Sequence, residues 1–400
     1  MTSKELIQTE DRYGAHNYHP LDVILTRGEG IWVYDVEGKK YLDFLSAYSS
    51  VNQGHCHPRI KAKLVDQVGK LTITSRAFRN DQLPLLCKEV CELTGMEMML
   101  PMNSGAEAVE TALKTVRKWG YTQKGVALDQ AEIITCTGNF HGRTTTIVGF
   151  STEELYKKYF GPYTPGFKSI PFGDADALEA AITPNTVAFL VEPIQAEGGV
   201  LIPPEGYLKH CEEICRKNNV LLVLDEIQTG LGRCGKLFAC CHENVTPDIY
   251  ILGKALSGGF YPVSAVVSKR DILGVFTPGE HGSTFAGNPL ACAIAREALS
   301  VLQEEKLAEK SNELGNYFMD KLRTIQSDHI KEVRGRGLLI GLELKKEAGG
   351  ARRFCEMLMT EGLLCKETHE DTIRFAPPLV ITKADIDWAF ERIRKVLESE

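Results

Sequence analysis

No run of about 18 apolar residues occurs anywhere in the chain, and the opening stretch MTSKELIQTEDRYGAHNYHP holds no apolar core of the kind a secretory signal carries. A cytoplasmic protein with no membrane partner is therefore expected; a mature organelle enzyme that has lost its transit peptide would look the same. No two of the twelve cysteines stand in a C-x-x-C pair, and none form a short disulfide framework, so reduced thiols are expected. There is no basic excess either. The 46 Lys and Arg against 53 Asp and Glu leave a net charge of −7, which argues against a nucleic-acid partner. Repeats of 20 to 50 residues and low-complexity linkers are also missing, so the domains are expected to pack together rather than hang on a tether.

What remains is an ordinary globular composition, 43% hydrophobic over 400 residues, longer than one hydrophobic core usually serves. Residues 30–44 (GIWVYDVEGKKYLDF) alternate as a hairpin around Glu37-Gly38. From about residue 60 to 350, short β-rich runs at 132–136, 186–191, 220–224, 249–252 and 263–267 are separated by amphipathic stretches such as 205–218. That alternation predicts a mainly parallel α/β sheet covered by helices. A long helix is predicted over 290–322. Strands at 332–344, 363–365 and 372–375, with helices near 350–360 and 383–397, then predict an α+β unit.

His55-Cys56-His57 is the densest group of metal-type ligands. Neighbours in an extended segment point to opposite sides, so at most the two histidines share a site, and no further pair is spaced to complete it. A turn before Pro58, with no metal, is the expectation.

In open α/β sheets ligands sit at the carboxyl ends of strands. The strand VLLVL ends in Asp225-Glu226 with Gln228 beyond, and the next, IYIL, runs into Lys254. A buried ion pair is one reading of Asp225 and Lys254. The other is a pyridoxal phosphate site, with Lys254 as Schiff-base lysine and Asp225 under the pyridinium nitrogen. That reading needs a phosphate cradle, a stacking aromatic and a carboxylate anchor. Asn103-Ser104-Gly105-Ala106-Glu107, small residues opening a helix, offers the cradle, although the same residues also suit a plain N-cap. Phe140 offers the ring and Arg143 a planar fork. Ser283 and Thr284, in HGSTFAGNP, offer hydroxyls. Gly230-Leu-Gly232-Arg-Cys-Gly235 matches G-x-G-x-x-G, but it begins five residues after its strand and precedes a strand-like 236–239 rather than a helix, so a dinucleotide is not expected.

Taken in order, NSGAEAVETA, FHGRT, VEPIQAEGG, LLVLDEIQTGLGRCG, LGKALSGG, HGSTFAGNPLA and RFAPPL resemble the class III, fold type I, pyridoxal phosphate aminotransferases across about 13–396. The resemblance implies an α/β fold. An N-terminal segment, 1–50, would carry a small antiparallel hairpin. A large cofactor domain, 51–290, would hold a mainly parallel seven-stranded sheet flanked by helices, and 291–400 a smaller α+β domain. It also implies a homodimer with shared active sites, Thr284 reaching the phosphate of the partner's cofactor. Lys254 and Asp225 then take the catalytic roles. Gln228 would meet the ring hydroxyl, Phe140 would stack, Gly105 and Ala106 would give N–H groups to the phosphate, and Ser104, His141 and Ser283 join the cofactor set. YGAHNYHP and FLSAYSSVNQGHCHP look like the branch that exchanges ornithine with 2-oxoglutarate. There Tyr18 and Arg143 would hold the ornithine α-carboxylate, Tyr48 would present the distal amine, and Glu197 with Arg374 would form a switch pair. The switch has a physical basis: ornithine reacts with its carboxylate far from Lys254 and glutamate with one close by, so Glu197 neutralises Arg374 in one half-reaction and releases it in the other. His141, and Ala196-Glu197-Gly198-Gly199, depart toward the pattern of acetylornithine enzymes; an acetylornithine or 4-aminobutyrate aminotransferase is the alternative.

Overall fold

The β-rich runs form the middle of one seven-stranded sheet in a computed structural model that describes residues 1–399. Across the sheet the order is Met98–Met102, Ser264–Ser268, Ile249–Leu252, Leu221–Asp225, Thr186–Val191, Glu132–Cys136, Phe167–Ile170. Every neighbouring pair is parallel except those made by Ser264–Ser268, which runs antiparallel to both its neighbours. The three strands from Thr186, Leu221 and Ile249 are buried at every position, which is why they read as continuous apolar runs. Their side chains alternate between two cores. Phe189, Val191, Leu222, Leu224 and Leu252 face one; Ala188, Leu190, Val223, Ile249 and Ile251 face the other. Phe167–Ile170 escaped the sequence reading because this edge strand is four residues long and exposes Lys168 and Ser169.

The helix expected over 290–322 is two helices, Pro289–Glu304 and Leu307–Leu322, broken where Lys306 takes φ 53°. No glycine or proline marks that break. The second helix leaves the large sheet to cover a four-stranded antiparallel sheet ordered Ile330–Arg336, Leu339–Leu344, Thr372–Phe375, Lys366–Thr368. The strand expected over 332–344 is therefore a hairpin, reversed at Gly337 with φ 55°. The strand expected at 363–365 does not join this sheet. Leu363–Leu364 pairs in parallel with Lys40–Asp43, completing a third sheet with the N-terminal strands Leu25–Glu29 and Trp32–Asp35.

The hairpin around Glu37-Gly38 forms as read, Gly38 turning at φ 87°. Residues 236–239 are not a strand; they lead into the 3₁₀ turn Ala239–Glu243. His55 and His57 each hydrogen-bond a carboxylate of their own, His55 Nε2 with Asp43 Oδ2 at 2.7 Å and His57 Nε2 with Glu305 Oε1 at 2.9 Å. All twelve cysteines are unpaired. Among the described residues no helix is long and apolar enough to cross a membrane.

Candidate active site

Parallel pairing sets Asp225 beside Ile251, three residues before Lys254, so the carboxylate and the amine emerge from the same edge of the sheet. Asp225 is fixed on both oxygens: Oδ1 accepts the Ile227 N–H at 3.1 Å and Oδ2 meets His141 Nδ1 at 2.7 Å. Lys254 sits at φ 44°, in the left-handed region that few residues other than glycine adopt, just past its strand. Burial pushes its ammonium down to about 8, with Arg374 adding to the effect and Glu197, Asp225 and Glu192 opposing it. Near neutral pH an amine so placed is neutral, and able to act as a nucleophile and base, far more often than an exposed lysine.

Behind Asp225 lies a group that the sequence reading did not assign. Glu192, at the end of the Thr186–Val191 strand, is 6% exposed and accepts the Phe140 N–H at 3.0 Å. Burial, reinforced by the charge of Asp225, raises its carboxyl to about 8. His141 moves the other way from most buried histidines. Burial alone would lower it, but the hydrogen bond and charge of Asp225 outweigh burial and raise it. The residue expected among the cofactor contacts therefore also orients Asp225.

At the other end, the helix Gly105–Trp119 opens on a capping box in which Ser104 Oγ accepts the Glu107 N–H and the Glu107 carboxylate accepts the Ser104 N–H. The N–H groups of Gly105 and Ala106 come too early for helical acceptors and line the cavity, a ready anion cradle. A Cβ on Gly105 would stand 3.0 Å from Ile227 Cδ1, so a larger residue here would press on the end of the Ile227 side chain. Ser283 Oγ accepts from Asn103 Nδ2 at 2.8 Å, at the cradle's edge, while Thr284 on the same loop is exposed.

A cavity of about 140 Å³ joins these parts, lined by Gly105, Ala106, Phe140, Asp225, Gln228 and Lys254 among others. A second, of about 320 Å³, shares Gly105 and Lys254 and opens past Ser104 and Tyr261. The largest cleft, about 1450 Å³, lacks Lys254. It shares Phe140 and Glu197 with the site.

Next to Gln228, Glu197 Oε1 meets Arg374 NH1 at 2.6 Å and accepts from Gln228 Nε2 at 3.2 Å. Burial would raise the Glu197 carboxyl, but Arg374 and then Lys254 outweigh it and hold it at about 2. Arg374 is 1% exposed, and its Nε and second terminal nitrogen have no partner, leaving two donors for an incoming carboxylate. Its guanidinium lies 5.0 Å from the Tyr48 ring. Tyr48 stands on a left-handed turn: Ser46, Ala47, Tyr48 and Ser49 all have φ between 47° and 70°. Such a conformation costs roughly 1–2 kcal/mol per residue. Asp43 Oδ1 holds the turn by accepting the N–H groups of Leu45 and Ser46, and Ser46 Oγ donates to the Ala376 carbonyl. Arg143 is exposed and lies 4.2 Å from the Tyr156 ring, an aromatic the sequence reading did not assign. Tyr18 is 69% exposed, yet near enough to act electrostatically on the Tyr48 hydroxyl.

An amine for an aldehyde, an acid for a ring nitrogen, an amide for a ring hydroxyl and a helix N-terminus for a phosphate are the donor set of pyridoxal phosphate, and the residues fit it. Fold and site together define a fold type I pyridoxal phosphate enzyme. The chain belongs to the class-III aminotransferase family, whose model matches residues 13–397. It is 62% identical over 392 residues to an ornithine aminotransferase of Geobacillus sp., covering 98% of each chain. It is 59% identical to that of Bacillus subtilis, covering 99% of this chain and 98% of the relative. Among solved structures, the ornithine aminotransferase of Toxoplasma gondii superposes with a TM-score of 0.98 at 47% identity, over 100% of this chain and 96% of that one. An acetylornithine aminotransferase of Elizabethkingia anophelis superposes at 0.91 and 49% identity, over 100% of both.

Proposed function

We propose that the chain is an ornithine aminotransferase: it moves the δ-amino group of L-ornithine to 2-oxoglutarate, giving glutamate 5-semialdehyde and glutamate. The observation that carries this reading is the closed Glu197–Arg374 pair with Gln228 and Tyr48 around it, beside Lys254. A monocarboxylate whose charge lies far from the reacting amine finds Arg374 already neutralised. A dicarboxylate that needs a cation near the reacting carbon can take the unused Arg374 donors and displace Glu197. The relatives and solved structures named ornithine aminotransferase support the same substrates.

Bound pyridoxal phosphate supplies an electron-withdrawing ring and an aldehyde carbon. The chain supplies the rest. The Lys254 amine is depressed enough to take the proton from Cδ of ornithine in the first half-reaction and, in the second, to deliver a proton to the Cα that becomes that of glutamate. Asp225, braced by His141 and Ile227, provides the negative charge beneath the ring nitrogen. Tyr18 and Arg143 hold the distal α-carboxylate, and Tyr48 helps present the distal amine. Ser104, Gly105, Ala106 and Ser283 hold the phosphate, with Thr284 of a second copy; exposed Phe78, Thr284 and Phe285 suit such a homodimer.

The second reading, an acetylornithine aminotransferase, is favoured by His141 and by the Elizabethkingia neighbour. One experiment separates them. Ornithine, N-acetylornithine and 4-aminobutyrate are added separately to the holoenzyme, and the loss of its near-visible absorbance is followed in a single turnover. Ornithine is expected to bleach the band at least tenfold faster than the other two, and Lys254→Ala to abolish turnover. Faster bleaching by N-acetylornithine overturns the assignment.

A further inference from the structure

The glycine-rich turn at 230–235 contains a residue that the chemistry above leaves unused. Arg233 is 0% exposed, with Arg374 one of the two largest fully buried side chains, and among the described residues it forms no ion pair. Its acceptors are neutral oxygens from three separate parts of the chain: NH1 donates to the carbonyls of Leu338 at 2.9 Å and Pro377 at 2.6 Å, and NH2 donates to Asn52 Oδ1 at 2.5 Å. Burial drags the guanidinium down to about 9. A buried cation without a counter-ion is costly, and a turn that only needed filling would be better served by an apolar side chain. A planar fork, by contrast, holds several oxygens at once in fixed directions.

Those oxygens mark where the two substrate-facing segments meet. Pro377 lies three residues after Arg374, and Asn52 follows the left-handed turn that carries Tyr48. The segments are also stitched directly: the Ala376 N–H donates to the Phe44 carbonyl at 2.7 Å, Ser46 Oγ to the Ala376 carbonyl at 2.6 Å, and the Leu379 N–H to the Asn52 carbonyl at 2.8 Å. Asn52 Nδ2 returns to the Leu231 carbonyl within the glycine-rich turn at 3.0 Å. We infer that Arg233 is a positioning residue for substrate: with Asn52 it fixes the spacing between Tyr48 and Arg374, and with it the fit of the dicarboxylate. The inference rests on Tyr48 and Arg374 being the substrate groups. It gives the G-x-G-x-x-G motif a use in this chain unrelated to dinucleotides. The hairpin at Gly337 packs directly on this turn, since a Cβ on Gly337 would stand 2.4 Å from the Gly235 nitrogen.

The test measures glutarate binding to the holoenzyme by calorimetry, pyridoxal phosphate affinity by reconstitution, and single-turnover rates with ornithine and with glutamate. Arg233→Lys and Asn52→Leu remove the same link from opposite ends. Each is expected to weaken glutarate binding and raise the KM for 2-oxoglutarate at least tenfold while cofactor affinity changes less than threefold. Asn52→Asp, which retains an acceptor for Arg233 but gives up the N–H to the Leu231 carbonyl, is expected to fall between wild type and Asn52→Leu. Arg374→Ala serves as the control. If it leaves glutarate binding unchanged, the substrate assignment fails. If it weakens binding but neither Arg233→Lys nor Asn52→Leu does, or if both lose cofactor and substrate affinity in equal proportion, the positioning role fails alone. Should Arg233→Lys not fold, Asn52→Leu decides by the same criteria.

Discussion

Lys254 shows how much one side chain owes to its surroundings. An exposed lysine titrates near 10.4, whereas burial brings this one to about 8. In the cofactor-free protein, the rate at which trinitrobenzenesulfonate modifies Lys254 is therefore expected to climb about tenfold per pH unit up to about 8 and then level off. A rate still climbing at pH 10 counts against the buried site. The stability consequence has a definite sign. Between about 8 and about 10.4 the unfolded chain holds a proton at this position that the folded chain has shed, so stability rises with pH across that window, and Lys254→Met removes the rise. Lys254 and Asp225 were legible in the sequence because a carboxylate and an amine at the ends of adjacent apolar strands need a reason to be there. Glu192 was not. It too ends a strand, but its partners, His141 and the Phe140 N–H, come from a loop about 50 positions away, and nothing local signals the meeting. Arg233 stayed hidden for the opposite reason, lying within a pattern that suggests a different ligand.

At the scale of elements, periodicity found the buried strands and lost the bends. The continuous helix expected over 290–322 is interrupted at Lys306, and the single strand expected over 332–344 folds back at Gly337. The left-handed turn at 46–49 was invisible, since Ser-Ala-Tyr-Ser contains no glycine and its conformation is imposed from outside by Asp43 and Ala376. Glycines in these turns are not equivalent, which gives a test. Gly38 has φ 87° with nothing within 4 Å of a new Cβ, whereas at Gly337 a Cβ would meet the Gly235 nitrogen at 2.4 Å. Gly38→Ala is expected to cost about 1 kcal/mol, the backbone term alone. Gly337→Ala is expected to cost about 3 kcal/mol or more by urea denaturation, because backbone must move as well. Equal losses would show that the close packing around Gly337 is not tight.

The whole molecule bears on whether one chain suffices. Ser283 reaches the edge of its own cradle while Thr284, one residue on, is exposed. In the homodimer proposed above, Thr284 serves the other copy's phosphate. Lys254→Ala and Thr284→Ala chains, unfolded together and refolded as a mixture, are then expected to regain about a quarter of wild-type activity: half the dimers are hybrids, and each hybrid has one intact site. No recovery above that of Thr284→Ala alone would mean that each site is built from a single chain.

The sheet that joins the two ends of the chain imposes an order on biosynthesis. Lys40–Asp43 lies against Leu363–Leu364, and Ser46 donates to Ala376, 330 positions downstream. The first ribbon therefore leaves the ribosome long before its neighbouring strand has been translated. Throughout that interval Leu42 and Phe44, both fully covered in the finished molecule, lack their final cover. The seven-stranded sheet can assemble meanwhile from strands already in hand, whereas the Tyr48 turn cannot take its final form until Ala376 has been made.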